Sequence, residues 1–426
     1  MFTRLSQILT GTEEKRRLGS NILSLGILQS ANYILPLLTL PYLVRVLGPD
    51  YFGVIAFSTA TIIYFTIITD YGFNLSATRQ ISINRDDPDK VTEIFSAVMT
   101  IKTVLMIVCF ALLLLLVSTV EKFRQEWALY LITFGMVLGQ VLFPVWLFQG
   151  MERMKYITYL NVSAKLFFTI CIFIFVQEQS DYWLVPLLTS LGFIFAGIWS
   201  LYLVKKQFKI SFVFQSTVVL KEQLYDGWHV FLSSFSISLY TTTTIVILGL
   251  VSTNSVVGYF AAADKIVQAV KGIYSPVSQA IYPLISKKIY HDEEAGVKFL
   301  RKVFYVVGGG MLLISLMLFF FAELIVDVML GQQYSQSVAI LQIMAFIPFI
   351  VAMSNVFGIQ MMLNLGYQKE FNIIITSSAF IGLLLAYFLV PTYLAVGSAS
   401  ALLIVELIIV LLMFYFVCFK SRIRFI

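Results

Sequence analysis

Continuous apolar segments of about twenty residues recur along almost the whole chain, and each is long enough for an α-helix to cross a bilayer. Hydrophobic residues make up 59% of the chain and charged residues only 12%, which is about half of the charged share in soluble domains. A soluble protein could not bury that much apolar surface, and a β-barrel would show shorter segments of alternating polarity. The sequence therefore predicts an all-α integral membrane protein.

The apolar segments predict twelve membrane-spanning helices, with both termini on the cytoplasmic side. Most of the 29 Lys and Arg residues then fall in the inner loops and termini, and only Arg45, Lys122 and Arg124 fall in the outer loops. This asymmetry is the positive-inside pattern that orients membrane proteins. The basic N-terminal segment is not followed by a small-residue cleavage site, so the first apolar segment is expected to be a retained helix. The predicted spans are residues 20–46, 52–74, 94–118, 127–149, 156–177, 182–204, 229–251, 257–284, 300–322, 336–364, 371–391 and 394–419.

The two halves of the chain resemble each other in sequence. A shift of 205 residues aligns Gly53 with Gly258, and a shift of about 215 residues aligns 144–157 with 358–371. Six spans in each half, with the same orientation, predict parallel repeats that form two pseudo-symmetric six-helix bundles around a central cavity. The predicted domains are an N-terminal six-helix bundle (1–204), a basic cytoplasmic linker (205–228) and a C-terminal six-helix bundle (229–426).

The second predicted span begins after a short Gly-Pro-Asp turn at 48–50 and carries one polar face. Its polar residues recur at the spacing of a single helix face and are Thr59, Thr66, Asp70 and Asn74. A carboxylate on a helix in lipid is costly unless it faces a protein interior or a water-filled cavity. This face is therefore predicted to line a polar chamber inside the protein.

The eighth predicted span carries a second polar face. Its residues follow one helical stripe and include Asp264, Gln268, Lys271 and Ser275. Lys265 lies about 100° around the helix from this stripe. The stripe aligns with the polar face of the second span under the shift of 205 residues, so both repeats are expected to contribute to the chamber.

Two further charges, Lys165 and Glu406, lie near the middle of their predicted spans, about 12–15 Å from either end. A lysine can extend part of that way to the membrane surface, whereas a glutamate has a shorter reach. Lys102 lies nearer the end of its span, so it is expected to snorkel to the surface. For the other charges a cavity is favoured, and the alternative is a buried ion pair that only fixes helix packing.

Several lysines around one chamber favour an anionic solute, because cations in a partly wet site of low dielectric constant attract phosphate strongly. Neighbouring carboxylates could exchange protons or sodium as the chamber opens to either side. For the two arginines in the set, anchoring at helix ends is an equally good explanation. The predicted substrate-binding residues are Lys165, Lys265, Lys271, Arg45 and Arg79; the ion-coupling candidates are Asp70, Asp264 and Glu406; the polar lining residues are Asn74, Gln268 and Ser275.

The sequence contains no signature of an enzyme or a metal site. It has no Walker A loop, no Gly-x-Ser-x-Gly motif and no Cys-x-x-Cys pair, and its three cysteines lie far apart in apolar segments. The net charge of +6 does not indicate nucleic acid, because no basic domain lies outside the membrane. No catalytic residue, metal ion, cofactor or nucleic-acid partner is therefore expected, and transport would draw on a gradient or a partner.

Three segments of the N-terminal half carry distinctive motifs: RVLGPDYFGVIAF at 45–57, DYGFNLSATRQIS at 70–82 and WLFQGMERMKYI at 146–157. Together they resemble the bacterial polysaccharide repeat-unit flippases, which are the O-antigen transporters of the multidrug/oligosaccharidyl-lipid/polysaccharide exporter superfamily. The length and the predicted spans extend this resemblance over the whole chain. The motif positions of the family correspond to Arg45, Asp70, Asn74, Arg79, Gln149, Glu152 and Arg153.

The resemblance implies two six-helix bundles around a cationic cavity, working by alternating access. It implies a cargo of undecaprenyl-pyrophosphate-linked oligosaccharide, carried from the cytoplasmic to the periplasmic leaflet of the bacterial inner membrane. The product would be O-antigen, a part of lipopolysaccharide, or a related surface polysaccharide. The expected partners are this lipid-linked oligosaccharide and membrane lipid, and they could include the polysaccharide polymerase and the chain-length regulator.

Three alternatives remain open from the sequence. A multidrug or cation antiporter of the same superfamily would favour an acidic cavity, whereas lysines outnumber carboxylates here. A membrane glycosyltransferase or polymerase would need a sizeable outer loop with catalytic groups, and the outer loops are short. A structural scaffold predicts no functional charge inside the membrane.

Overall fold

The computed structural model describes residues 13–420, except for the side chains of residues 13–23, 25, 30, 233, 239, 240, 280, 283 and 293. The regular structure of this part of the chain is helical throughout, which confirms the predicted all-α class. The basic residues at 1–12 and 421–426, on which the predicted orientation of the termini partly depends, lie outside the described residues.

Eight helices of the described chain are long and apolar enough to cross a membrane. The number is nine if Thr217–Ser238 and Thr243–Val251, which meet at an angle of 46°, form one bent span. This pattern confirms a multi-pass membrane protein.

Two of the helices are much longer than one membrane crossing, and each contains a break. Helix α1 (Glu13–Asp70) turns at Gly48, where φ is 69° and ψ is 175°. Glycine adopts this left-handed φ without the penalty of a Cβ atom, and Pro49 is suited to begin the helical segment that follows. The last long helix (Gln368–Tyr415) breaks in the same way at Leu394, where φ is 51°. The predicted turn at 48–50 is therefore present.

The chain forms two compact units. The first unit consists of Met1–Leu35 and Thr61–Phe235, and the second consists of Pro36–Ala60 and Ser236–Ile426. The middle of α1 thus belongs to the second unit, although it lies in the N-terminal half of the chain. The two units therefore divide the chain differently from the two predicted bundles. The boundaries of those bundles stay a prediction.

The first unit is built around buried aromatic and aliphatic side chains, with Trp146 fully buried beside Phe73 and Ile94. A Cβ atom at Gly150 would lie 2.6 Å from the side chain of Ile81, so the short helix that carries the WLFQG motif packs directly on its neighbour. The elements of this unit after α1 are α2 (Phe73–Ile83), α3 (Pro88–Thr119), α4 (Glu121–Arg124), α5 (Trp127–Leu142), α6 (Val145–Gly150), α7 (Met154–Phe175), a 3-10 turn (Gln179–Trp183), α8 (Leu184–Leu203), a π turn (Val204–Phe208) and most of α9 (Thr217–Thr241).

The second unit has its own core, in which Val356, Met361 and Val405 are almost completely buried. Its elements after the α1 segment and the end of α9 are α10 (Thr243–Val251), α11 (Asn254–His291), α12 (Glu293–Phe320), α13 (Ala322–Met329), a 3-10 turn (Gln332–Tyr334), α14 (Ser337–Met344), α15 (Ile347–Asn355), a π turn (Val356–Met362), α16 (Gln368–Tyr415) and a final π turn (Phe416–Lys420).

The two segments that align in sequence near residues 144–157 and 358–371 end in the same backbone turn. In each segment, a backbone N–H donates a hydrogen bond to the carbonyl oxygen five residues earlier. The donor is Arg153 in the first segment, at 2.8 Å, and Tyr367 in the second, at 2.9 Å. The residue before each donor is left-handed, with φ of 53° at Glu152 and 84° at Gly366. This is the geometry of a Schellman motif. Because it recurs at aligned positions, it supports the internal repeat.

Candidate functional site

Asp70, at the end of α1, forms an ion pair with Lys102 of α3. The Nζ of Lys102 lies 3.2 Å from Oδ1 of Asp70, and Nδ2 of Asn74 donates to Oδ2 of the same carboxylate at 2.9 Å. The Lys102 side chain is 2% exposed and that of Asp70 is 18% exposed. The expectation that Lys102 snorkels to the membrane surface is therefore wrong, because a carboxylate inside the first unit lies within its reach.

The polar face predicted for the second span is partly assembled in the structure. Asp70 and Asn74 do meet, although a turn separates their helices, with φ of 48° at Tyr71 and 77° at Gly72. The hydroxyl of Thr66 donates to the backbone of its own helix, at the carbonyl of Ile62. The face therefore holds one carboxylate, which a buried lysine already neutralises.

Lys165 of α7 has a different environment. Its Nζ donates to Oδ1 of Asn32 on α1 at 2.6 Å, and the lysine is half-buried. No carboxylate within the described ranges pairs with it. Because its partner is a neutral amide, no neighbouring carboxylate offsets the charge of this ammonium group, so Lys165 can attract an anion.

The polar stripe predicted on the eighth span lies along α11 in the second unit. Gln268 donates to Asp264 at 3.4 Å, one turn away, and Gln279 donates to Ser275 at 3.1 Å. Lys265, the predicted neighbour of the stripe, is exposed. The stripe is thus linked along its own helix by side-chain amides.

Lys271 interacts electrostatically with two carboxylates, Asp264 on its own helix and Glu406 on α16. Glu406 is 8% exposed. Neither Lys271 nor Glu406 has a hydrogen bond or an ion pair of contact distance among the residues that the structure describes. The positive charge of Lys271 is therefore offset by nearby acids, whereas that of Lys165 is not.

A set of amide side chains that the sequence reasoning missed joins α11 to α15 and to the π turn at Val356–Met362. Asn355 accepts hydrogen bonds from Tyr274 at 3.1 Å and from Ser278 at 2.8 Å. Gln360 is fully buried and donates to the Ser278 hydroxyl at 2.9 Å. Isolated Asn and Gln residues in an apolar segment give no periodic pattern, so only their hydrogen bonds in the fold show that they hold these elements together.

The two predicted substrate-binding arginines lie at helix ends. The guanidinium of Arg45 donates to the carbonyl of Val328 at 2.5 Å, in the last turn of α13. Cationic side chains commonly satisfy carbonyls at the C-terminal end of a helix. Arg79 is exposed on α2. For Arg45, the observed contact therefore favours the explanation that the side chain anchors a helix end.

The motif residues at 149–152 also make contacts of a structural kind. Glu152 pairs with Arg85 at 2.7 Å, which joins the turn after α6 to the turn after α2. Gln149 accepts a hydrogen bond from Thr78 of α2 at 3.4 Å. These residues therefore fix a junction between short helices of the first unit.

Comparison with known proteins gives a family and close relatives. The model of a family described as "Polysaccharide biosynthesis protein" matches residues 18–289. A protein of Escherichia coli (strain K12) that is named as an O-antigen transporter is 37% identical over 406 residues, which is 95% of this chain and 97% of that protein. A protein of Shigella dysenteriae with the same name is 31% identical over 396 residues, which is 92% of this chain and 98% of that protein.

Two solved structures with a similar fold are a flippase and a transporter. The lipid II flippase MurJ, in an inward closed conformation, superposes with a TM-score of 0.73 at 14% identity, over 94% of this chain and 88% of that one. A multidrug resistance MATE family transporter of the MOP superfamily, in an inward-facing conformation, superposes with a TM-score of 0.65 at 14% identity, over 92% of this chain and 96% of that one. At this identity the likeness establishes the fold alone.

Proposed function

Since the chain belongs to the polysaccharide biosynthesis protein family, we propose that it flips undecaprenyl-pyrophosphate-linked oligosaccharide repeat units across the bacterial inner membrane. Movement is from the cytoplasmic to the periplasmic leaflet by alternating access, and it supplies O-antigen or a related surface polysaccharide. Two relatives that match almost end to end are named as O-antigen transporters. The chain is accordingly a transporter and not an enzyme.

The observation that carries the choice of an anionic cargo is the environment of Lys165. Its ammonium group has a neutral amide as its partner, so it offers an uncompensated positive charge to a phosphate. Lys271 and Lys265 would act as secondary cations, because both lie in the electrostatic field of Asp264. A cation exporter would instead need a carboxylate as the uncompensated group, whereas Asp70 is paired with Lys102 and the carboxylates of Asp264 and Glu406 both lie in the electrostatic field of Lys271.

The proposal includes twelve spans in two six-helix bundles, with both termini in the cytoplasm. The breaks at Gly48 and Leu394 allow α1 and α16 to supply two crossings each. Helices α9 and α10 together can supply one bent crossing. Helix α11, at 38 residues, is long enough to cross, although its polar stripe lowers its hydropathy.

Glu406 is the residue that we expect to couple transport to an ion gradient. It is 8% exposed and has no close cationic partner in the described part of the chain. A buried carboxylate of this kind can take up and release a proton or bind sodium as its surroundings change. Asp264, which receives a hydrogen bond from Gln268, is the second candidate.

Glu406→Gln is expected to reduce the response of transport to an uncoupler severalfold while the protein remains abundant in the membrane. The amide keeps the size of the side chain and removes its ability to change charge. Leu407→Gln, which adds an amide at the exposed neighbouring position, is the matched control and should respond as the parent does. An unchanged uncoupler response in Glu406→Gln would exclude this residue from coupling.

Deletion of the gene tests the proposed cargo directly. Lipid-linked repeat units should accumulate, and almost all of them should lie in the cytoplasmic leaflet. Periodate, which does not cross membranes, should then oxidise them in inside-out vesicles but not in spheroplasts, and expression of the parent protein should restore the outer pool. An outer pool of normal size in the deletion strain would contradict the proposal.

The polymerase and the chain-length regulator are proposed partners that receive the repeat unit on the periplasmic side.

A further inference from the structure

The first unit contains two lysines in apolar helices whose polar partners differ by a single chemical group. Nζ of Lys102 lies 3.2 Å from Oδ1 of Asp70. Nζ of Lys165 instead donates to Oδ1 of Asn32 at 2.6 Å. Asparagine and aspartate have nearly the same size and shape, and each offers an acceptor oxygen. Both contacts can therefore hold a lysine in place, but only the contact with aspartate cancels its charge.

The contact between Asn32 and Lys165 is fixed by the packing of α1 on α7 within the first unit. The hydroxyl of Thr158 on α7 donates to the backbone carbonyl of Ser24 on α1 at 2.8 Å. Asn32 follows Ser24 by eight residues on α1. Lys165 follows Thr158 by seven residues on α7, so each interval is about two helical turns. The two helices therefore run side by side in the same direction, and the same faces meet at both contacts.

The pair presents several hydrogen-bond donors beside one another. An ammonium group has three N–H donors, and one of them is used for Asn32. In the described part of the chain, Nδ2 of Asn32 has no acceptor, so its amide adds two donors next to the ammonium group. Both residues are half-buried, and polar groups at membrane depth are costly without partners. A phosphate group, whose oxygens are acceptors, would satisfy these donors and the positive charge together.

We propose that Asn32 is a specificity-determining residue of the Lys165 site. It holds the ammonium group in place with an uncharged oxygen, and its own amide N–H groups donate to the same phosphate. Its lack of charge makes the site select an anion, because a carboxylate at this position would pair with Lys165 and repel phosphate. The choice of phosphate as the ligand rests on the proposed function, whereas the charge of the site does not.

Two substitutions at residue 32 separate charge from packing. Asn32→Asp keeps the size of the side chain and its acceptor oxygen, but it cancels the charge of Lys165. Asn32→Leu keeps the size of the side chain and the charge of Lys165, but it removes the hydrogen bond. At equal abundance, transport of lipid-linked repeat units is expected to fall about ten- to hundredfold in Asn32→Asp and only about two- to fivefold in Asn32→Leu.

The order of the two losses decides between the two roles. If Asn32 only packs α1 against α7, Asn32→Asp retains that contact and should transport better than Asn32→Leu. A loss in Asn32→Leu that equals or exceeds the loss in Asn32→Asp would therefore overturn the inference. Transport by Asn32→Asp at the rate of the parent would overturn it as well.

The charge of the site can also be measured without the cargo. Asn161 is half-buried and lies about one turn before Lys165 on the same face of α7. Asn161→Cys is introduced into a chain whose native cysteines (Cys109, Cys171 and Cys418) are replaced by alanine. The measurement is the ratio of the rates at which an anionic and a cationic methanethiosulfonate, the sulfonatoethyl and trimethylammonioethyl reagents, modify this cysteine in the purified protein.

This rate ratio is expected to fall severalfold in Asn32→Asp and to stay unchanged in Asn32→Leu, because only the carboxylate offsets the charge of Lys165. Equal ratios in Asn32→Asp and in the parent would overturn the inference. A cysteine that neither reagent modifies would also overturn it, because a site closed to water-soluble ions does not admit a phosphate.

The two measurements separate this inference from the proposed function. If the rate ratio falls in Asn32→Asp but the parent does not move lipid-linked repeat units, the proposed cargo is at fault and the charge of the site stands. If the parent moves them and Asn32→Asp does so equally well, the proposed function stands and the role assigned to Asn32 is wrong.

Discussion

Lys165→Met is expected to lower the transport of lipid-linked repeat units about ten- to hundredfold, since a hydrogen bond between charged groups contributes about 1.5–3 kcal/mol and each 1.4 kcal/mol is tenfold. Methionine keeps the length and the apolar stem of the side chain, so the change removes the charge and little else. The measurement is the outer-leaflet pool of repeat units in a deletion strain that expresses the variant at the level of the parent.

Two further variants distinguish a binding role from a packing role at this position. Lys165→Arg should retain a substantial part of the transport, because the positive charge remains. Lys155→Met removes a lysine at the start of the same helix, where it lies over the ring of Tyr156, and should have little effect. Full transport by Lys165→Met at normal abundance would contradict the cationic site, and equal losses in the Met and Arg variants would indicate packing instead of charge.

Separation of the Asp70–Lys102 pair is expected to cause the largest loss of stability. Removal of one member of a buried ion pair typically costs about 3–5 kcal/mol, because the other charge is left without a partner. Lys102 is 2% exposed and has little access to water, so Asp70→Asn should strongly lower the unfolding midpoint in detergent. Lys102→Met should do so as well, but less, since the carboxylate of Asp70 keeps the hydrogen bond from Asn74 and some exposure.

The double variant of this pair decides whether Asp70 has a role beyond packing. If the pair only fixes the helices, Asp70→Asn combined with Lys102→Met should recover most of the stability and transport near the parent level, as in a double-mutant cycle with strong coupling. Stability that returns without transport would instead assign Asp70 to ion coupling. No recovery of stability would mean that the two side chains do not act as a pair.

The helical class and the Gly-Pro-Asp turn could be predicted because each depends on local chemistry. Apolar segments about 20 residues long have few alternatives to membrane-spanning helices. Gly48 and Pro49 determine a turn by their own backbone preferences. The correspondence of Gly53 with Gly258 was likewise visible in the sequence, but the sequence did not predict that α1 and α11 approach so closely there that a Cβ atom at either glycine would overlap a carbonyl of the other helix.

The placement of individual charges could not be predicted in the same way. Lys102 and Lys165 are each a single lysine in an apolar segment, and the sequence distinguishes them only by their distance from the end of the predicted span. Lys102 meets a carboxylate and Lys165 meets an amide only because of which helices are neighbours in the fold. The roles of the half-buried Asn355 and the buried Gln360 were missed for the same reason, since their partners on α11 lie far away along the chain.

The way in which the two units divide the chain determines the order in which they can be completed during synthesis. Pro36–Ala60 leaves the ribosome early, yet its packing partners in the second unit begin only at Ser236. At about 5–20 residues per second, the segment waits on the order of 10–40 s in the membrane before those partners emerge. For that interval the insertion machinery or lipid has to shelter it. A gene divided at the basic linker would therefore yield two fragments, each lacking a piece of its own fold that the other fragment carries.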